Sequence, residues 1–84
     1  MALKGEEAEV LEAVALETSD VVGKPLRNIP FPKGALVVSI IRADEVIIPT
    51  GESVIEPEDR IIILSTRQGI PQVEKALTVK LEYF

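Results

Sequence analysis

Three cations stand where the chain turns: Lys33 before Gly34, Arg42 at the end of an apolar run, and Arg67 two positions before Gly69. A positive side chain beside a turn with free backbone N–H groups is a common way to meet an anion, so these three are the candidate ligand-binding residues. Ordinary surface charge is the plainer role for each. Four acids, Glu52, Glu56, Glu58 and Asp59, gather in one stretch and offer hard oxygens to a divalent cation. They lack the Asp-x-Asp-x-Asp-Gly order of a calcium loop, so the stretch reads as a solvated turn and no metal site is assigned. Ser39, Ser53 and Ser65 have no histidine anywhere in the chain to activate them, and none sits in a G-x-S-x-G elbow. Cysteine is absent too, which removes thiolate nucleophiles, thiolate metal sites and disulfides together. Paired carboxylates for acid and base work need two acids with divergent environments in one cleft, and the acids here lie in turns that read as exposed. No catalytic residue is assigned, and the chain reads as a non-enzyme. It has neither G-x-G-x-x-G nor a Walker loop to wrap a pyrophosphate, so no cofactor is expected.

The elements that position these residues are short. Leu36–Arg42, Glu45–Pro49 and Arg60–Leu64 are β-branched runs separated by clusters of Gly, Pro, Asp and Glu, the pattern of successive strands. Ala43-Asp44 is a two-residue connection, so the first two of these strands should form an antiparallel hairpin. Pro49-Thr50-Gly51 ends the second, and the last is apolar at nearly every position, as a strand buried on both faces is. Upstream, the run from Glu9 to Glu17 fits a strand by partial alternation and a helix by its Ala and Glu content. Pro25–Ile29 suits a short helical turn with Leu26 and Ile29 on one side and Arg27 and Asn28 outward. Phe31, between two prolines, is expected to plug the core beneath its loop. Pro71–Leu77 places Val73, Ala76 and Leu77 at helical spacing, together with Ile70. The tail Val79–Phe84 alternates and leaves an extra strand open.

The chain has 84 residues and a net charge of −5. That length holds one small core, and a domain of this size buries only roughly 60% of its unfolded surface. The negative balance argues against a nucleic-acid partner, and no apolar run approaches the roughly 18 residues of a membrane span. Residues 1–8 read as a flexible lead-in, 9–78 as the domain and 79–84 as a tail.

Lys33-Gly34, Arg42, the run Val46-Ile47-Ile48-Pro49-Thr50-Gly51, Val54-Ile55 and Asp59-Arg60-Ile61-Ile62 occur in an order that resembles the C-terminal regulatory domain of the RCK and TrkA potassium-transport proteins. Gly23-Lys24-Pro25-Leu26 matches that family's turn after its first strand, which favours strand for the segment from Glu9. The resemblance implies an α+β fold, a small four-stranded, mainly antiparallel sheet with two short helices. It also implies a non-catalytic regulatory and ligand-sensing module of a potassium or other cation uptake or channel system. The implied partners are a second copy in a homodimer, a membrane transporter or channel subunit, and a Rossmann-type RCK N-terminal domain through which nucleotides such as NAD or ATP are bound. The implied place is cytoplasmic, peripheral to the inner membrane, with no direct insertion. Some relatives bind cyclic di-AMP between two such domains through an Arg before the second strand and an Asn at its start. Pro32 and Leu36 stand there in this chain, so that ligand is not expected. From a different class, a free-standing sensor of an amino acid or nucleotide at a dimer interface is the alternative.

The residues also predict assembly. Strands with apolar residues on both faces need two covers, and two short helices supply about one, so the uncovered face should pair with a second copy.

Overall fold

The computed structural model describes residues 7–77 and 82–83, the last two by backbone alone. Four strands, β1 (Ala8–Val14), β2 (Ala35–Arg42), β3 (Glu45–Ile47) and β4 (Arg60–Thr66), are followed by helix α1 (Ile70–Leu77) and a two-residue strand β5 (Glu82–Tyr83). The sheet order is β3-β2-β4-β1-β5, and every pairing between these strands is antiparallel. The stretch from Glu9 is therefore a strand. The first expected helix is a single 3-10 turn over Leu26–Asn28, because Pro25 and Ile29 on either side of it are extended. The second is α1. Thr66 Oγ1 accepts from the Gly69 N–H at 3.2 Å and so closes the short turn that leads into it. The alternating tail contributes β5 against β1, while residues 78–81 and 84 lie outside the described residues.

Directly paired residues share a face of the sheet, so the register sorts the side chains. Leu11, Ile63 and Val37 form one row, and Ala13, Ile61, Ile40 and Ile47 form the next. Against this face lie Val21, Ile29, Ile55 and the Ile70, Val73 and Leu77 side of α1, making one core whose central members are fully enclosed. Phe31 packs on its margin, as expected. The opposite face carries the rows Val10, Leu64, Leu36 and Val14, Arg60, Ile41, Val46. Among the described residues no helix covers it, and Val14, Leu36 and Val46 are 46%, 62% and 62% exposed.

One strand departs from simple alternation. Val37 pairs with Ile63 and Ser39 with Ile62, leaving Val38 as an extra residue, a β-bulge. Leu36, Val38 and Ile40 therefore do not share a face. Leu36 and Ile41 look to the open side, whereas Val37 and Ile40 look to the core.

Gly34 marks the tightest approach: a Cβ there would stand 2.6 Å from Thr66 Oγ1, and its carbonyl accepts the Thr66 N–H at 2.9 Å. Only glycine lets β2 start this close to the end of β4.

Candidate functional site

The three sequence-predicted cations are not brought together. Ala35 pairs with Ser65 and Ile41 with Arg60, so Lys33 and Arg67 stand at one end of the sheet and Arg42 at the other. Lys33 is exposed. Arg67 lies 3.3 Å from the buried carboxylate of Glu9, and its backbone N–H donates to the Glu7 carbonyl at 3.0 Å.

Arg42 is the most heavily engaged. Its Nε and Nη2 donate to the two carboxylate oxygens of Asp59 at 2.9 and 2.8 Å, a bidentate fork. Nη2 also donates to the Val54 carbonyl at 2.9 Å, and Nη1 lies 2.8 Å from Glu56. Glu52, Glu56 and Glu58 are exposed, as a solvated turn requires, but Asp59 departs from that reading and is only 1% exposed. Asp59 also accepts the Glu56 N–H at 2.9 Å, which folds the turn back on itself. Burial alone pushes the Asp59 carboxyl up. The Arg42 hydrogen bonds, the Glu56 N–H and the Arg42 charge together outweigh it, so the group sits below the usual carboxylate range. The same hydrogen bonding holds Arg42 above its ordinary value.

The other acids of the stretch disperse: Glu52 pairs with Arg27, Glu56 with Arg42, and Glu58 points to water. Among the described residues, no three carboxylates converge as a metal would require. The serines are equally scattered. Ser53 Oγ accepts the Thr50 N–H at 2.9 Å, Ser65 Oγ donates to the Thr66 carbonyl at 2.9 Å, and Ser39 Oγ is buried in β2 without a protein partner.

A groove of about 270 Å³ runs between β2 and the Pro49–Gly51 segment. Leu26, Phe31, Leu36, Val37 and Pro49 line it, with Arg27 at the rim. The loops hold its shape through backbone bonds from the Leu26 N–H to Ser53 O at 2.9 Å and from the Arg27 N–H to Gly51 O at 3.0 Å. Sequence reading missed this groove, since its walls come from segments far apart in sequence that only the folded chain brings together. It also missed the Glu12–Arg60 ion pair, which lies diagonally across β1 and β4 on the open face.

Comparison with known proteins follows the same stretch of chain. The family model for the TrkA-C domain matches residues 10–78. The chain is 47% identical over 73 residues to the Trk system potassium uptake protein TrkA homolog 2 of Methanosarcina mazei, covering 87% of this chain and 16% of that protein. It is 40% identical over 76 residues to the Trk system potassium uptake protein TrkA of Azorhizobium caulinodans, covering 90% of this chain and 17% of that protein. The chain therefore spans less than a fifth of the length of these two relatives. A solved structure described as "Structure of RCK domain with cda" superposes with a TM-score of 0.70 at 28% identity, covering 82% of this chain and 97% of that one. With the family pattern matched from the first strand to the end of α1, the chain belongs to the TrkA-C domain family.

Proposed function

We propose that this domain is a regulatory and dimerisation module of a potassium uptake system, coupling the state of a cytoplasmic assembly to a membrane transporter. The observation that carries the reading is the sheet face left open by the fold, with Val14, Leu36 and Val46 exposed in rows shared with Val10, Leu64 and Ile41. An apolar sheet face of this kind marks an interaction surface. Its central charges, Glu12 and Arg60, already neutralise each other, so two copies can meet there without like-charge repulsion. The relatives that share the domain are named as Trk potassium uptake proteins, which supports the transport role.

Sedimentation at micromolar concentration tests the dimer: the expected mass is about twice the 9.2 kDa chain. Val14→Glu combined with Val46→Glu should return it to one chain mass while leaving the fold intact, since both side chains face solvent within one copy. Coupling is tested separately by rubidium uptake in cells whose TrkA gene carries the same pair of substitutions. Uptake indistinguishable from the parent would remove the coupling role even if the dimer were lost.

Ligand sensing is the finer part of the reading. The superposed structure is described as an RCK domain with cda, and the groove beside β2 is an apolar recess among the described residues that such a role would use. Its rim offers one cation, Arg27, already held by Glu52, so a multiply charged nucleotide finds little compensation there. Calorimetry with NAD, ATP and cyclic di-AMP should show no micromolar binding to the isolated chain. Micromolar binding of NAD or ATP would favour the free-standing sensor, whereas micromolar cyclic di-AMP would fit the ligand-sensing regulatory domain and overturn the expectation drawn from Pro32 and Leu36.

A further inference from the structure

The two faces of the sheet differ in charge. Among the described strand side chains, the open face carries one acid, Glu12, and one base, Arg60, and these pair with each other. The rows around them, Val10, Leu64, Leu36 and Val14, Ile41, Val46, are apolar. The chain nevertheless has a net charge of −5, so its excess of acids lies off this face. Much of it gathers at the end of the sheet where β2 turns into β3 and β4 begins. Asp44, Glu45, Glu56 and Glu58 are exposed there, and Arg42 is already shared between Glu56 and the buried Asp59.

When two copies meet through a neutral, apolar face, the contact brings no like charges together, but the negative bodies behind it repel. The extents of 34 × 24 × 21 Å place the centres of two face-to-face copies on the order of 20 Å apart. The Debye length is about 30 Å at 0.01 M salt and about 8 Å at 0.15 M. Repulsion between the two excess charges therefore acts in dilute salt and is largely screened at physiological strength. Glu12 and Arg60 supply no opposing dependence, because each is satisfied within its own chain before and after association.

We propose that ionic strength regulates this assembly: the dimer tightens as salt rises, through screening of net charge rather than through a bound ion. The inference rests on the dimer reading of the open face given under the proposed function. In a potassium uptake module, an interface of this kind reports total salt without needing a ligand pocket. The sign is diagnostic, since an interface held by ion pairs between copies would loosen as salt rises.

Sedimentation of the full chain in potassium chloride tests this. The dimer Kd should fall about five- to tenfold between about 20 mM and about 300 mM salt, and sodium chloride should give the same curve. Asp44→Asn, Glu58→Gln and Glu74→Gln together leave a net charge of −2 in place of −5. That triple variant should dimerise more tightly in dilute salt and respond less to added salt. Lys24→Gln with Lys75→Gln takes the charge to −7 and should do the opposite. All five positions lie off the open face, in loops or on α1, and a fold defect would weaken both variants alike. Association that is independent of salt, or that loosens with it, overturns the inference and leaves the dimer in place, as does a response to potassium that sodium does not reproduce. A single chain mass at every salt concentration overturns the dimer and the inference with it.

Discussion

Arg42 and Asp59 lie 17 positions apart in sequence and face each other across the ends of β2 and β4, joined by two parallel hydrogen bonds of 2.9 and 2.8 Å. The arginine reaches water at its flank while the carboxylate does not, its side chain being 32% exposed against 1% for Asp59. That asymmetry ranks the two halves of the pair. Removing Arg42 strands a buried anion, whereas removing Asp59 leaves a cation that can turn to solvent. Arg42→Ala should therefore cost about 3 kcal/mol, and Asp59→Asn, which keeps an acceptor for the Glu56 N–H, clearly less. Urea melts giving the reverse order would show that the turn depends on the Asp59 charge itself.

The same pair sets an acid limit on stability. Asp59 has its folded pKa below its unfolded value of about 3.9, so its contribution is complete above that value. It is lost as pH falls through the lower, folded pKa. Thermal melts between pH 6 and pH 2 should show this loss in the parent chain and a shallower decline in Asp59→Asn.

The hairpin turn holds an unused margin. Ala43 and Asp44 have φ of 46° and 69°, the left-handed pair of a two-residue hairpin that Asn-Gly fits best. Asp44→Gly should stabilise by about 1 kcal/mol, raising Tm by roughly 4–8 °C. An unchanged or lower Tm would mean that the Asp44 side chain supports the turn in some other way.

The two faces of β4 should respond differently to charge. Ile63 is fully enclosed in the core, and an ammonium there must lose its charge or draw water inward. Ile63→Lys is expected to abolish cooperative folding. Ile62 is 9% exposed but lies on the other face, in the row of Glu12 and Ser39 that no helix of the described residues covers, so a long side chain there can lift its charge toward water. Ile62→Lys should fold with a loss of about 2 kcal/mol, and Glu58→Lys, on the surface, should change stability by less than about 0.5 kcal/mol. Circular dichroism melts of the three variants separate these outcomes.

Much of the architecture was legible because local chemistry and tertiary pairing agree. Pro49, Gly51 and the Ala43-Asp44 step bound strands whose β-branched content is high, and the helical spacing of Ile70, Val73 and Leu77 is the face that the core uses. The illegible parts depend on register. Alternation puts Leu36 with Ile40, and one extra residue at Val38 separates them. Composition makes Asp59 a solvated acid, and only the pairing of Ile41 with Arg60 brings it beside Arg42. Pro25–Ile29 contains a helical spacing, but prolines at 25 and 30 bracket it too closely for more than one turn. Lys33, Arg42 and Arg67 look alike in sequence because each borders a turn, yet two of them already hold a carboxylate.

The strand order also dictates when this chain can fold. β1 leaves the ribosome first, but its ladder partner is β4, with Ala8 opposite Thr66 and Val14 opposite Arg60. The β2–β3 hairpin closes over two residues and can form early, whereas β1 must wait, unpaired and rich in apolar side chains, until nearly the whole domain has been synthesised. The delay falls on the nascent chain, so variants that weaken the hairpin should lower soluble yield in cells more than their melting temperatures alone would indicate.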